Sequence, residues 1–418
     1  MPRAGVAFYG DDFTGSVDAL LQFARRGWRG RLFTGLPDAA ALARAADEAE
    51  VIGVAGISRS LSPVEMDAEL RPVFAAFAAL EPDIVQYKAC STADSAAHVG
   101  SLGRVIELAR EAFGDRPVPM LFAQPDFGRY TLFGQHFAAE RGTVYRLDRQ
   151  PTMSQHPSTP MTEADLALHI GRQTDLPIGS VPLVSFDDLP ALLRGAPEAA
   201  LVLDALTDDH LVAVGRALPT LPAPVFAIGS GGLSHGIAAA FPGDAPVVAT
   251  STAATGPVLV VSGSRSAQTR RQADAAAAAG WLVRPLPLDE TEVERVRSHV
   301  LDALRSGRGV VLTSDDADTA TAGSRPVLEA IAEAAASVIS AVARDGVARR
   351  LIVCGGDTSS RITRLLGVES LSIAANPWGN VVLLRAHGAD AAIEGLELLL
   401  KGGQVGADTL FTDVAALG

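Results

Sequence analysis

The sequence predicts an α/β chain of two domains, each a mainly parallel sheet covered by helices. Three observations carry this expectation. Short β-branched or apolar runs alternate with longer helical patterns from the start, the alternation breaks off at Phe241 to Pro257, and it then restarts. A chain of 418 residues is also too long for one ordinary core, and two domains of roughly 150 to 250 residues are the natural division.

In order, Gly5 to Tyr9 reads as a strand, Ser16 to Arg26 as a helix, Val51 to Ala55 as a strand and Pro63 to Leu80 as a helix. The rhythm continues with a strand at Ile84 to Lys88, a helix at Leu102 to Phe113, and strands at Pro119 to Ala123, Val181 to Val184, Leu201 to Asp204 and Val225 to Ile228. The first domain is therefore placed at residues 1 to 240. Phe241 to Pro257, rich in Pro, Gly, Thr and Ala and without either periodicity, reads as a linker. In the second domain, 258 to 418, strands are expected at Val258 to Val261, Leu282 to Leu286, Gly309 to Thr313, Arg350 to Val353 and Val381 to Leu384. Helices are expected at Ser266 to Ala279 and Val327 to Arg344; the Ala275 to Ala279 run is a closely packing helix face. Residues 148 to 161, DRQPTMSQHPSTPM, are the longest irregular piece, either a functional loop or a surface excursion.

Composition limits the function classes. Hydrophobic residues at 48% and charged residues at 20% supply a buried core and exclude disorder. A net charge of −13, with no basic block, disfavours nucleic acid and acidic lipid as partners. A phosphorylated ligand stays admissible, because helix N-termini bind phosphate through backbone N–H groups. Cys90 and Cys354 are too few for a disulfide framework and fit a reducing cytoplasm. The first ten residues lack a basic region leading into an apolar core, and no stretch approaches ~18 uninterrupted apolar residues, so neither secretion nor a membrane span is expected.

Directly after the first strand, GDDFTGSVDAL puts Asp11 and Asp12 at the strand's C-terminal end, the edge at which open α/β sheets bind ligands. Paired carboxylates there can accept from substrate hydroxyls and take a proton; as turn and N-cap residues they would be structural only. YKACSTADSA brings Lys88, Ser91, Thr92 and Asp94 to the same edge, one cation plus hydroxyls suited to a polyol acid, or else a polar loop with a helix cap. Arg59 in GISRSLSP offers a planar fork for a carboxylate, or is a surface arginine. His156 and His235 are lone loop histidines, more often structural than catalytic.

Three turns of the second domain, VSGSRSAQT, VCGGDTSSR and LKGGQVG, each follow an expected strand and together suggest phosphate. Gly263 and Ser264 lead into a helix starting at Ser266; Gly355 and Gly356 allow close backbone approach, with Asp357, Thr358 and Ser359 capping the next helix. No GxxxxGK[ST] or first-turn GxGxxG is present, which disfavours a P-loop and an NAD-linked dehydrogenase. GSGG at Gly229 to Gly232 reads as a tight structural turn, and no Cys/His spacing for zinc or EF-hand is found.

DDFTG, STADS, TPMTEADL, SGSRSAQT, GGDTS and KGGQVGADTLF, in that order across nearly the whole chain, resemble the four-carbon acid sugar kinase family. The resemblance implies an N-terminal domain that binds an acid sugar, a C-terminal domain that binds ATP, and chemistry in the cleft between them. It carries Asp11, Asp12, Arg59, Lys88, Ser91 and Thr92, with the neighbouring Asp94, to the substrate side. Ser264, Gly355, Gly356, Asp357, Thr358, Gly402 and Gly403 fall to the nucleotide side. It also implies Mg2+. Either acid of the pair could be the base: Asp12 is taken first, with Asp11 orienting substrate or supporting the metal, and the sequence leaves the choice open. Members acting on tetronates resemble KxDSTLRG where this chain has Cys90 in place of an acid and Asp94 in place of an arginine. That departure is similar to the branch that includes 3-oxo-isoapionate kinases and points to a branched or oxo acid rather than simple D-threonate or D-erythronate. A nucleotide-dependent sugar-acid sensor without turnover would carry the same clusters. Small-molecule acid sugar and ATP are the expected partners, with a homodimer as the assembly considered.

Overall fold

The structure is a computed structural model that describes residues 5–245, 248, 254–314, 326–379 and 381–417, and only the backbone of Glu290 and Asp357. The chain divides into two units, Met1–Val247 and Val248–Gly418. Of the expected linker, residues 246, 247 and 249–253 lie outside the described residues. Residues 241–245 pack on the first unit, where the Gly243 N–H donates to the Arg26 carbonyl at 2.9 Å and the Trp28 indole donates to that of Phe241 at 2.6 Å.

The strands of the first unit are β1 (Val6–Gly10), β2 (Gly30–Phe33), β3 (Val51–Ala55), β4 (Ile84–Lys88), β5 (Val118–Leu121), β6 (Arg129–Leu132), β7 (Gln135–Glu140), β8 (Thr143–Arg146), β9 (Ile178–Val181), β10 (Ala200–Leu203) and β11 (Val225–Gly229). Its helices are α1 (Phe13–Ala24), α2 (Ala39–Glu48), α3 (Pro63–Leu80), α4 (Leu102–Phe113), α5 (Leu166–Gly171), α6 (Leu189–Gly195), α7 (Asp208–Ala217) and α8 (Gly231–Ala240). Eight strands form a parallel sheet in the order β2-β3-β1-β4-β11-β5-β10-β9. Every residue of β1, β3, β4 and β11 is buried, as strands covered on both faces require. From β1 the chain moves outward to β2 and β3, and from β4 it moves the other way, so the strand order reverses at the β1/β4 junction. Open α/β sheets take ligands at such a switch point. Tyr9 and Tyr87 stack at 5.7 Å in a core that includes Phe74, Phe77 and Phe122.

Local signals start the helices where the site needs them. Asp12 caps α1, accepting from the Gly15 N–H at 2.6 Å, and Ser62 with Glu65 forms a capping box ahead of α3, with Pro63 at its first position. The strand expected at Val181 to Val184 instead ends at Val181, and residues 183–188 form a 3-10 helix. Pro182 has no N–H to continue the ladder.

A second, three-stranded antiparallel sheet, β6-β7-β8, has no counterpart in the sequence expectation. Its turns are Phe133-Gly134 and Arg141-Gly142, all four residues with positive φ, the geometry that matches strand twist in two-residue hairpins.

The second unit contains β12 (Val258–Ser262), β13 (Leu282–Pro285), β14 (Val310–Thr313), β15 (Arg350–Cys354), β16 (Ser370–Trp378), β17 (Val381–His387) and β18 (Glu397–Lys401). Its helices are α9 (Ala267–Ala278), α10 (Glu290–Arg305), α11 (Val327–Asp345), α12 (Gly356–Leu365) and α13 (Leu410–Ala415). The order is β13-β14-β12-β15-β18-β17-β16, parallel from β13 to β18 and antiparallel through β17 and β16. A buried Arg350–Glu397 pair at 2.9 Å ties β15 to β18, while the Arg350 guanidinium also donates to the Val414 carbonyl at 2.8 Å. Among the described residues no helix is long and apolar enough to cross a membrane.

Candidate active site

In the first unit, the turns after β1, β3 and β4 meet at the switch point. Arg59 stands on a 3-10 turn, Ser58–Ser60, fixed from below by the core tyrosines. The Ile57 N–H donates to the Tyr9 hydroxyl at 3.2 Å, and Ser58 shares a 2.8 Å hydrogen bond with Tyr87. The guanidinium so placed grips both acids. Its Nε and Nη2 donate to the two oxygens of Asp11 at 3.0 and 2.7 Å, and its Nη1 pairs with Asp12 Oδ2 at 2.7 Å. Burial, the largest single influence, opposes the charge on Arg59, but its acidic neighbours, Asp11 foremost and Asp12 with it, hold the guanidinium above its ordinary range. Burial likewise pushes the Asp11 carboxyl up, against the pull of Arg59.

The two carboxylates thereby part in role. The Asp11 side chain is 4% exposed and both its oxygens are occupied by the fork, so it holds Arg59; the sequence reading placed it on the substrate side. The Asp12 side chain is 34% exposed and is the acid a hydroxyl can reach.

Lys88 is buried at the end of β4, its ammonium on the Ala89 carbonyl at 3.1 Å and 3.9 Å from Asp18 Oδ2. A side chain at Gly15 would come within 3.0 Å of that ammonium, so the glycine leaves it room. Asp18 was not singled out from sequence, although its spacing on α1 puts it one turn beyond Gly15. Gln22 and Gln124 hold it at 3.0 and 3.3 Å.

Beyond Lys88, the Ser91 carbonyl accepts from His136 Nε2 at 2.8 Å, and the Thr92 hydroxyl meets the Cys90 thiol at 3.1 Å. Asp94 turns to the loop of residues 148–161: its carboxylate accepts from the Thr159 hydroxyl, which also bonds His156 Nδ1 at 2.8 Å. That loop is closed by the Met161 N–H on the Met153 carbonyl at 2.8 Å, and both methionines are buried. It is thus folded onto the β4 turn, with His156 as a loop fastener. His235 joins neither group and faces Asp208 at 3.5 Å. The Gly229–Gly232 turn is one of close packing, since a Cβ on Gly232 would strike the Ala123 carbonyl.

In the second unit, β12, β15 and β18 are adjacent and parallel, so their C-terminal turns converge. The Gly263 N–H donates to the Cys354 carbonyl and the Gly355 N–H to that of Lys401, each at 2.9 Å. A Cβ on Gly263 would strike the Thr358 hydroxyl, one on Gly403 the Ser264 hydroxyl, and Gly355 has φ +112. Gly402 would meet only Val405 at 3.7 Å and Gly356 nothing within 4 Å, so neither packs against a neighbour as closely as Gly403 does. The Asp357 side chain lies outside the described residues.

Lys401, unremarked from sequence, lies at the centre of these turns. It is 2% exposed, donates to Thr269 Oγ1 at 3.1 Å, and pairs with no carboxylate among the described residues. Burial pulls its pKa down, with Cys354 acting the other way, while burial pushes the Cys354 thiol up to about 11.

Residues 6–237 match the model of a sugar-binding N-terminal domain, and residues 259–411 that of a nucleotide-binding C-terminal domain. The chain belongs to the four-carbon acid sugar kinase family, a class of ATP-dependent sugar-acid kinases. It is 37% identical to the 3-oxo-isoapionate kinase of Paraburkholderia graminis, over 97% of this chain and 93% of the relative. A 3-oxo-tetronate kinase of Pseudomonas fluorescens is 30% identical, covering 98% and 96%, and a D-threonate kinase of Bordetella bronchiseptica is 28% identical, covering 96% and 94%. The fold is that of the Haemophilus influenzae protein HI1011, at a TM-score of 0.77, 22% identity and coverage of 97% and 98%.

Proposed function

We propose that the chain transfers the γ-phosphoryl group of ATP to a hydroxyl of a small acid sugar, a branched 3-oxo acid such as 3-oxo-isoapionate, with 3-oxo-tetronate, D-threonate and D-erythronate as alternatives. The observation that carries the reading is Lys401, a buried ammonium without a carboxylate partner where three glycine- and hydroxyl-rich turns converge. A cation out of water is costly unless an anion joins it, and nucleotide phosphate is the anion that backbone-lined turns at helix starts accept. Cys90 and the loop-bound Asp94 support an acceptor other than a simple tetronate.

In this reading the Lys88 turn and Asp12 hold the acid sugar. The acceptor oxygen forms a bond to the γ-phosphorus as the bond to the β-phosphate oxygen breaks; ADP leaves, and the hydroxyl proton passes to Asp12. Arg59 fixes Asp12 through the transfer, so most of the gain comes from positioning. Among the described residues no three His, Cys, Asp or Glu side chains gather as a metal cage. Mg2+ therefore suits this chain as an ion carried on ATP, where it would neutralise phosphate charge, rather than as a resident of the protein. The two free thiols fit a reducing cytoplasm.

The test is ADP release with ATP, Mg2+ and a panel of these acids. Silence with every acid would remove the kinase reading in favour of a sensor. Asp12→Asn is expected to lower kcat by about 100- to 10,000-fold; wild-type turnover would eliminate Asp12 as the base.

A further inference from the structure

An anionic substrate meets a charge problem at the switch point. Arg59 and Lys88 are the two cations there, and Asp11, Asp12 and Asp18 already neutralise them. Neither has charge to spare for a carboxylate. The nearby cation that pairs with no carboxylate among the described residues is Arg129, the first residue of β6.

Arg129 is tied to this site by its backbone and by its strand. Its N–H and carbonyl bridge Gln124, at 3.1 and 2.9 Å, and the Gln124 side chain holds Asp18. Two residues on from Arg129 in β6, Thr131 bonds His136 at 2.9 Å, and His136 Nε2 donates to the Ser91 carbonyl in the turn after β4 at 2.8 Å. Only one edge of Arg129 is satisfied: Nη1 donates to the Phe127, Gly128 and Ala139 carbonyls at 2.8, 3.4 and 3.1 Å. Nε is buried with no partner, and Nη2 makes no hydrogen bond among the described residues. Nε and Nη2 form the side-on fork, the pair of donors with which Arg59 grips Asp11 in this same molecule. A donor kept from water without an acceptor is a standing cost, removed when an anion is drawn in against it.

The geometry points to Arg129 as the residue that binds the carboxylate of the acid sugar, through Nε and Nη2, while Lys88 and Asp12 address its hydroxyls. This rests on the kinase reading and deepens it. It also assigns a task to the β6-β8 sheet, which carries the fork to the end of β4.

The test compares wild type with Arg129→Gln on whichever of 3-oxo-isoapionate, 3-oxo-tetronate and D-threonate wild type phosphorylates, and on the alcohol in which CH2OH replaces that acid's carboxylate. KM for the acid should rise about 100-fold, the worth of a charge-assisted bidentate pair, with the KM for ATP unchanged. The preference for acid over alcohol should fall by the same factor. An unchanged preference in a folded, active variant overturns the assignment and leaves the kinase reading standing. Should Arg129→Gln fail to fold, Arg129→Lys keeps the charge and a donor for the carbonyls but loses the fork. It should then show a rise in acid KM of about 10-fold, and no rise overturns the assignment. A wild type silent on all three acids is the separate result that removes the kinase reading and this inference together.

Discussion

Arg59 and Lys401 show how differently a buried cation can be used. Arg59 sits in a closed network of two acids and backbone, with Tyr9 and Tyr87 fixing the turn beneath it, and its charge is spent on geometry. Lys401 has a hydroxyl, a carbonyl and a thiol for company, so its charge is available. A pH dependence follows. Burial lowers the Lys401 pKa, so the ammonium is lost at lower pH than an ordinary lysine, and affinity for ATP should fall as pH rises toward that lowered value. The ATP KM measured from pH 7 to 10 should climb in wild type, and the climb should be absent in Lys401→Arg; parallel profiles would contradict a role for Lys401 in binding phosphate. At this scale the sequence singled out Asp11, Asp12, Arg59 and Lys88 through their positions after strands, and the structure gathers all four at one switch point. It did not reveal Asp18, Arg129 or Lys401, because each matters through partners distant in the chain, and nothing local separates them from surface charges.

The elements most easily read were the buried parallel strands and their helices, since an apolar run followed by a capped amphipathic pattern is a local signal. The β6-β8 sheet escaped because its turns use Phe-Gly and Arg-Gly where Asn-Gly or Asp-Gly is the usual mark, and β16 because it pairs antiparallel with the β17 that directly follows it, which breaks the strand–helix rhythm. The β6-β8 sheet brings a second pH response. His136 is fully buried on β7, donating from Nε2 to Ser91 and accepting from Thr131 at 2.9 Å, and burial lowers its pKa to about 4; burial does the same to His169 on α5. Both rings are neutral in the fold but take a proton near pH 6.5 when unfolded, so between those values the unfolded chain binds more protons. Stability should therefore be lost as pH falls from 6.5 toward 4, by up to about 1.4 kcal/mol per pH unit for each ring, and stay level above that window with respect to these groups. Urea midpoints at pH 7 and 5 check this; replacing His136 by Gln should flatten the slope, and equal midpoints for wild type at the two pH values would contradict it.

For the molecule as a whole, the net charge of −13 opposes both of its proposed ligands, which are anions. Their encounter should be slowed at long range even where local groups attract them. Raising ionic strength from about 0.01 to 0.15 M shortens the Debye length from ~30 to ~8 Å, and the association rate of ADP in stopped-flow should rise. A falling rate would mean that the cations of the nucleotide turns, not the net charge, govern the approach. The sequence conveyed the two-domain α/β plan well, because it is set by many buried runs at once; the strand order was not legible, since order depends on which edges pair after collapse. The register of those edges has a practical bearing on altering this enzyme. Gly10, Lys88 and Gly229 lie side by side across β1, β4 and β11, with Tyr87 turned to the Tyr9 face and Lys88 to the α1 face. Deleting or adding one residue within β4 would reverse that alternation and point the ammonium into the tyrosine stack. Remodelling aimed at new acceptors thus has freedom only past position 88, where the backbone has left the ladder and can change length without inverting what lies beneath it.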